Sequence, residues 1–385
     1  MSVLLRRLCR NTKKDFRINL IAGANGLDNM VDWVHIIEDK DVAQFLHGHE
    51  LVLTTGIGNL NNAEELLRFI KEIHNVGASG LMINLGPYIS EVPKAAINYC
   101  NENDLPLFTI PWEKRLVDVT RHFCQIIIAE DEKTKSRTSL VKDFILKPAE
   151  RESIIIELMR QGFSQHSNYC VINVGLTQDG NKVNDNMYLE MLHENIERNV
   201  NKVTTNFVIF RNLDNYIVVV EGVVTVEVEN LVKTLSEKRI ADNVNIIIAV
   251  SSNKENLMAL PQSFLMSEKV YRLCINCNKA MIFYDRLGIY KILLSVPDKK
   301  LMNDYEKNVI GALKEYDESN GSDYCEFIKI FIENNANIQQ VAKNMYVHRN
   351  TIHYKINKIK EIAGLDLTSV NDLLKVRLCL LIEKL

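Results

Sequence analysis

The run from Val347 to Lys358 gathers the side chains best suited to nucleic-acid chemistry in this 385-residue chain: His348, Arg349, Asn350, Thr351, His353, Tyr354, Lys355, Asn357 and Lys358. Amides, an imidazole and a phenol can pair with base edges, while Arg and Lys reach phosphates and gain from counterion release. On a helix, at about 100° per residue, Asn350, Tyr354 and Asn357 point away from a stripe of Ile352, Ile356, Ile359 and Ala363. His353 lies beside them, and Arg349, Lys355, Lys358 and Lys360 spread along the flanks. Between Asn337 and Leu365 five Lys or Arg stand against one acid, a local charge of +4 in a chain of net charge −3. Charge alone would equally describe a solvated surface helix, so the elements around this run must decide.

Those elements read as two short helices and a tight turn. Asn337 is suited to N-cap a first helix whose Ile338, Val341, Ala342 and Met345 share one face, with Ala342 small enough for a second helix to cross closely. The turn falls near Asn344 to Val347. The second helix runs from about His348 to Ala363, and Gly364 stands at the expected stop. This is a helix-turn-helix, although Tyr346 holds a turn position where such units often carry Gly. The predicted DNA-contacting residues are Arg349, Asn350, Thr351, His353, Tyr354, Lys355, Asn357 and Lys358, and the predicted partner is double-stranded DNA.

The segment Val347 to Ile356, followed by Gly364, Leu365, Asp366 and Leu367, resembles the helix-turn-helix of Fis-type proteins. It resembles more closely the C-terminal domain of the purine catabolism regulator (PucR, CdaR-like) family. The resemblance implies a bacterial transcription regulator, usually an activator, in which Arg349, Asn350, Thr351, His353 and Tyr354 contribute to DNA contact. A second stretch is similar to the N-terminal domain of the same family. It is marked by Gly26-Leu27-Asp28, Val31 to His35, Gly48 to Gly56, Pro93 and Leu105-Pro106-Leu107. It implies a metabolite-sensing domain whose ligand does not transfer between members.

The N-terminal residues also carry a fold of their own. Apolar runs at Val31 to Ile37, Leu51 to Thr55, Leu81 to Leu85 and Leu107 to Ile110 alternate with helical patterns at Ala63 to His74 and Val92 to Glu102. Such alternation predicts an α/β domain with a mostly parallel sheet. Ligands of such sheets sit beyond the carboxyl ends of the strands, where Glu38, Thr54, Thr55, Gly56, Asn84, Tyr88 and Trp112 fall. These are the candidate ligand-binding residues, though Thr54 and Thr55 would serve equally to cap a turn. Gly56 and Gly58 lack the third glycine of a dinucleotide fingerprint, and His47, His49 and Glu50 lack helical metal-ligand spacing.

From Leu116 to Gly162 the pattern is helical and interrupted at Pro148, fitting either a helix pair across a dimer or packing within one chain. Strands are expected at Tyr169 to Val174, Phe207 to Phe210, Tyr216 to Val220 and Val244 to Ala249, with helices near Met187 to Arg198, Val228 to Arg239 and Pro261 to Asn276. An α+β, ferredoxin-like layer fits this order. In the PucR family this place is held by a domain similar to GGDEF-type nucleotide cyclases. Here Arg211 to Tyr216 replaces the glycine-rich acidic hairpin and leaves only Asp214 for a metal, so no enzyme activity is expected. Helices near Met302 to Glu315 and Tyr324 to Asn334 precede the helix-turn-helix, and a terminal helix opening at Ser369 to Asp372 in capping-box style closes an all-α core.

The expected fold is thus multidomain: a sensor domain over 1–115, a helical connector over 116–162, a degenerate GGDEF-like domain over 163–297 and the DNA-binding domain over 298–385. Eight scattered cysteines, including Cys274 and Cys277 without a second ligand pair, predict reduced structural thiols, no metal and no cofactor. No stretch approaches the roughly 20 apolar residues of a membrane span, and the start lacks a secretory h-region, so a cytoplasmic location is expected. Because a single helix-turn-helix binds weakly alone, a homo-oligomer, most simply a dimer, is expected as well. The alternatives are a nucleotide-binding or cyclase-like enzyme with an appended DNA-binding module, and an architectural DNA binder without a specific site. A small-molecule effector of unknown identity completes the expected partners.

Overall fold

A computed structural model describes residues 3–58, 60, 62–237 and 239–385. The chain divides into two compact units, Met1–Phe163 with Glu194–Val208, and Ser164–His193 with Ile209–Leu385.

The first unit begins with β1 (Val3–Leu4), α1 (Leu5–Phe16), β2 (Asn19–Ala22), β3 (Met30–Val31), β4 (Trp33–Ile36), β5 (Glu50–Thr54), α2 (Ala63–Asn75), β6 (Gly80–Leu85), α3 (Lys94–Glu102) and β7 (Leu107–Pro111). The main sheet has the order β2-β7-β6-β5-β4. Strands β4 to β7 pair in parallel and β2 adds antiparallel at the edge. The expected strand from Val31 to Ile37 is two pieces: β3 pairs antiparallel with β1, and β4 joins the main sheet. The break comes at Asp32, whose N–H donates to the His49 carbonyl at 2.9 Å.

Every residue of β5 is buried, as a central strand covered on both faces requires. Leu66, Phe69, Ile70 and Ile73 of α2 and Ala96 and Cys100 of α3 close one face over Val52, Leu81, Ile83 and Leu107. Leu5 and Leu8 of α1, with Val119, Phe123 and Ile127, close the other over Leu51, Leu53, Met82 and Phe108. The result is a three-layer αβα stack. The last three residues of that second set belong to α4 (Leu116–Leu146). At its end Arg151 donates to the carbonyls of Phe144 and Ile145 at 3.0 and 3.1 Å, and α5 (Arg151–Arg160) folds back against it. This stretch of the connector thus packs against its own chain.

The second unit contains β8 (Tyr169–Gln178), β9 (Asn181–Lys182), the start of α6 (Asn186–Val203), most of β10 (Phe207–Asn212), β11 (Asn215–Glu221), α7 (Thr225–Glu237), β12 (Asn245–Val250), α8 (Leu260–Asn276), β13 (Met281–Phe283) and α9 (Tyr290–Ser295). The sheet order is β10-β11-β8-β12-β13, with β9 hooked onto β8. β11 and β12 flank β8 antiparallel, while β13 runs parallel to β12. Cys274 is buried on α8, where its thiol donates to the Ile248 carbonyl and burial pushes its pKa up to about 12.

Helices complete the chain: α10 (Lys299–Asn320), α11 (Tyr324–Glu333), α12 (Ile338–Asn344), α13 (Arg349–Ala363) and α14 (Val370–Ile382). Their shared core holds Leu313, Phe327, Phe331, Val341, Ile352, Ile359, Val376 and Cys379. Asp317 near the end of α10 accepts from Ser322 Oγ and from the N–H groups of Tyr324 and Cys325, which fixes the start of α11. Burial opposes its charge, yet these hydrogen bonds prevail and hold its carboxyl below the usual range. The expected capping box at Ser369 does not form; Asp372 instead accepts from the Asp366 N–H and pairs with Lys375. No helix among the described residues is long and apolar enough to cross a membrane.

Candidate nucleic-acid interface

Asn337 caps α12 by accepting from the Gln340 N–H at 3.1 Å, and Val341 and Ala342 face inward. The chain then turns through Met345, Tyr346 and Val347. Tyr346 sits at φ +56°, in the left-handed region that favours glycine, and its side chain is 95% exposed. His348 N-caps α13 through Nδ1, which accepts from the Asn350 N–H at 3.3 Å. A histidine cap is not a pattern that sequence reading looks for. Gly364 ends α13 at φ +70°, a conformation that a side chain would strain, and its N–H returns to the Lys360 carbonyl.

Ile352, Ile356 and Ile359 bury one stripe of α13. Arg349, Asn350, Thr351, His353, Tyr354 and Asn357 are all exposed. The helix therefore presents two amides, an imidazole, a phenol, a hydroxyl and a guanidinium to solvent, opposite an apolar seam. Arg349 makes no ion pair among the described residues.

The remaining cations behave differently. Lys355 departs from the expectation of a phosphate-reaching flank: its side chain is only 14% exposed, pairs with Asp323, and lies over the rings of Tyr324 and Phe327 at 5.6 and 5.5 Å. Its charge is answered inside the domain. Lys358 pairs with Glu361 at 2.9 Å, and this hydrogen bond holds its ammonium above the usual range. The pair is exposed, and such pairs contribute little and yield readily to a stronger anion.

The strand-end residues of the first unit come together, but as a clamp. The Glu38 carboxylate accepts from Thr54 Oγ1 at 2.9 Å, Thr55 N–H at 3.0 Å, Thr55 Oγ1 at 2.8 Å and Gly56 N–H at 3.0 Å. Thr54 is fully buried, and Gly56 turns at φ +77°. Asn84, also buried, donates to the Pro111 and Lys114 carbonyls at 3.0 and 3.4 Å. The Glu38 carboxylate and the Thr54 and Thr55 hydroxyls are thus engaged with one another and with the backbone, and Asn84 is tied to the chain after β7. Tyr88 and Trp112 remain exposed, edge to face at 5.8 Å. Among the described residues no group of three or more His, Cys, Asp or Glu is arranged to hold a metal.

A capped two-helix unit with an apolar seam and an exposed polar face, ending a chain that starts with an αβα domain, defines a multidomain helix-turn-helix protein. Residues 8–127 match the purine catabolism regulatory protein-like family, and residues 324–382 match the PucR C-terminal helix-turn-helix domain. Two separate segments of the chain, one near each end, thus match domain models of the PucR family.

Its relatives include three proteins of Bacillus subtilis (strain 168). The proline-responsive transcriptional activator PutR is 28% identical over 142 residues, 36% of this chain and 34% of that protein. The DNA-binding transcriptional activator AdeR is 30% identical over 95 residues, 25% and 22% of the two chains. The purine catabolism regulatory protein is 31% identical over 101 residues, 26% and 19%. The matches thus span about a third or less of these relatives' own length. The crystal structure of a regulator of polyketide synthase expression from Bifidobacterium adolescentis aligns over 64% of this chain and 91% of its own, at 16% identity and a TM-score of 0.29.

Proposed function

We propose that this protein is a ligand-responsive, sequence-specific DNA-binding regulator of transcription for a metabolic operon, an activator rather than an enzyme, working in the cytoplasm as a homodimer. The observation that carries the reading is the exposed face of α13, where Asn350, His353, Tyr354 and Asn357 stand opposite buried Ile352, Ile356 and Ile359. A helix so built lies in a major groove, its polar side on base edges and its apolar side on its own domain. Arg349, Thr351 and Lys358 complete the contact set, whereas Lys355 holds α13 against α11. A single helix-turn-helix binds weakly, so pairing supplies both affinity and half-site spacing. The names of PutR and AdeR as transcriptional activators favour the sign of regulation.

The domain assignment belongs to the same proposal: sensor over 1–115, connector over 116–162, GGDEF-like layer over 163–297 and DNA-binding domain over 298–385. The order β8-α6-β10-β11-α7-β12 with β11-β8-β12 adjacent in the sheet favours a ferredoxin-like middle layer. At its β10–β11 turn Asp214 is paired with Lys182 at 3.0 Å and Leu213 is 83% exposed, which favours a scaffold over a nucleotide site.

The test is competition binding of the full chain to duplex DNA from upstream of its own and neighbouring genes against random duplex. A preference of at least about a thousandfold for one upstream site is expected of a specific regulator. Equal affinity for both sinks the reading in favour of an architectural binder.

Tyr346 yields a two-sided prediction. A left-handed conformation costs a residue with a side chain roughly 1 kcal/mol, and this residue is 95% exposed, so little packing offsets it. Tyr346→Gly is expected to slow hydrogen exchange of the amides in α12 and α13 by up to about fivefold. Its position beside the start of α13 places the phenol toward DNA, so the same variant is expected to lose DNA affinity. Unchanged affinity with the stability gain would leave Tyr346 an ordinary turn residue.

A further inference from the structure

A cleft of about 1200 Å³ opens in the first unit between α1 and α4. Its floor is apolar, with Ile18 and Phe108 buried and Leu20 and Leu27 half-buried. Its walls carry six cations against two carboxylates, an excess of positive charge in a chain whose net charge is −3. Both carboxylates are already engaged: Asp28 pairs with Arg6 at 2.7 Å, and Glu130 takes Arg7 in two parallel bonds of 2.8 and 3.1 Å. Arg10 on α1 and Lys133 on α4 meet no carboxylate among the described residues, and Lys202, from a segment of the same compact unit, joins them.

Concave surfaces with one sign of charge over a low-dielectric floor concentrate counter-ions of the other sign. The apolar floor adds a second requirement, because a fully hydrated inorganic anion gains nothing from Leu20 and Leu27. Ligand cavities typically combine such an apolar lining with a few convergent polar groups, and this one is large enough for a metabolite.

We propose that the cleft binds a small organic anion, an acidic head group held by Arg10 and Lys133 with an apolar body resting on Leu20, Leu27 and Phe108. The Glu38 carboxylate at the strand ends is engaged in its own clamp, whereas Arg10 and Lys133 meet no carboxylate among the described residues, which favours this cleft as the sensor's ligand site. The proposal deepens the ligand-responsive part of the reading above and rests on it for its regulatory consequence. The Arg7–Glu130 pair ties α1 to α4, and an anion that competes for Arg7 or bridges Arg10 to Lys133 alters that tie. It shifts DNA binding by as much as its affinity differs between DNA-binding and non-binding states of the chain, and no more.

The probe is 8-anilinonaphthalene-1-sulfonate, an aromatic sulfonate that fluoresces on leaving water, titrated into the full chain without DNA. Saturable binding of one probe per chain is expected, displaced by benzoate and not by benzyl alcohol or by equimolar inorganic phosphate. Arg10→Glu and Lys133→Glu are each expected to weaken the probe at least about fivefold, and the double variant to lose saturable binding, with the far-ultraviolet dichroism and unfolding midpoint of wild type. Non-saturable binding, equal displacement by benzyl alcohol, displacement by phosphate alone, or wild-type affinity in the folded double variant overturns the proposal. Should a variant not fold, Leu20→Gln, which leaves every charge in place, is expected to weaken the probe, and unaltered binding there overturns the proposal as well. Because no DNA is present, failure of the DNA-binding reading leaves these results intact, and the reverse also holds.

Discussion

Arg349→Ala is expected to weaken binding of the cognate duplex about tenfold at moderate salt and to flatten the dependence of log affinity on log salt by about one per DNA-bound subunit. The argument rests on contrast among the cations of α13. Arg349 is exposed at the first turn and unpaired among the described residues. Lys358 is held only by an exposed pair with Glu361. Lys355 is folded onto Asp323, Tyr324 and Phe327. Without the Arg349 guanidinium one phosphate keeps its condensed counterions, so affinity falls for every sequence alike.

Asn350→Ala should behave otherwise. Removing an amide pair with a base costs about 1–3 kcal/mol at the cognate site, leaves random duplex nearly unaffected, and keeps the salt slope. Lys355→Ala should destabilise the C-terminal core and leave the slope unchanged. Fluorescence anisotropy across a salt series separates the three. An Arg349→Ala slope identical to wild type would remove α13 from the phosphate backbone and with it the proposed docking.

This interface is legible in the sequence because its signals are local. Asn337 and Gly364 sit where caps must sit, and the isoleucines at 352, 356 and 359 repeat with the helix, so each can be read within a single turn or two. Lys355 escapes such reading for the opposite reason. A helical wheel places it on a flank facing solvent, but Asp323 and the rings that draw it inward lie more than twenty residues earlier, at and just beyond the start of α11.

The same limit hides α1. Its Arg and Lys residues make the start look merely basic, although Leu5, Leu8, Cys9 and Thr12 follow a helical i, i+3, i+4, i+7 stripe and are all buried. Strand β2 escapes for want of length, since four residues paired only at a sheet edge leave little pattern to read. The alternating strands and helices between Val31 and Trp112 are legible in type. What the pattern cannot say is whether the polar residues at their ends face a ligand or one another.

Glu38→Ala decides that question for the strand ends. In the clamp, one carboxylate receives two hydroxyls and two backbone N–H groups from Thr54, Thr55 and Gly56. Hydrogen bonds to a charged group contribute about 1.5–3 kcal/mol each, though they are not additive when they share one acceptor. Removing the acceptor strands the fully buried Thr54 hydroxyl, which retains only the Gly56 N–H at 3.1 Å. The expected loss is about 3 kcal/mol, with Glu38→Gln about half as severe because its amide oxygen still accepts on one side. The two tryptophans of the chain, Trp33 and Trp112, both lie in this domain, so tryptophan fluorescence in a denaturant titration reports its unfolding directly. A midpoint unmoved by Glu38→Ala would show that the carboxylate does not hold the sheet end together. The carboxylate would then be available as a ligand contact, and the strand ends would compete with the cleft between α1 and α4 for the sensor's ligand.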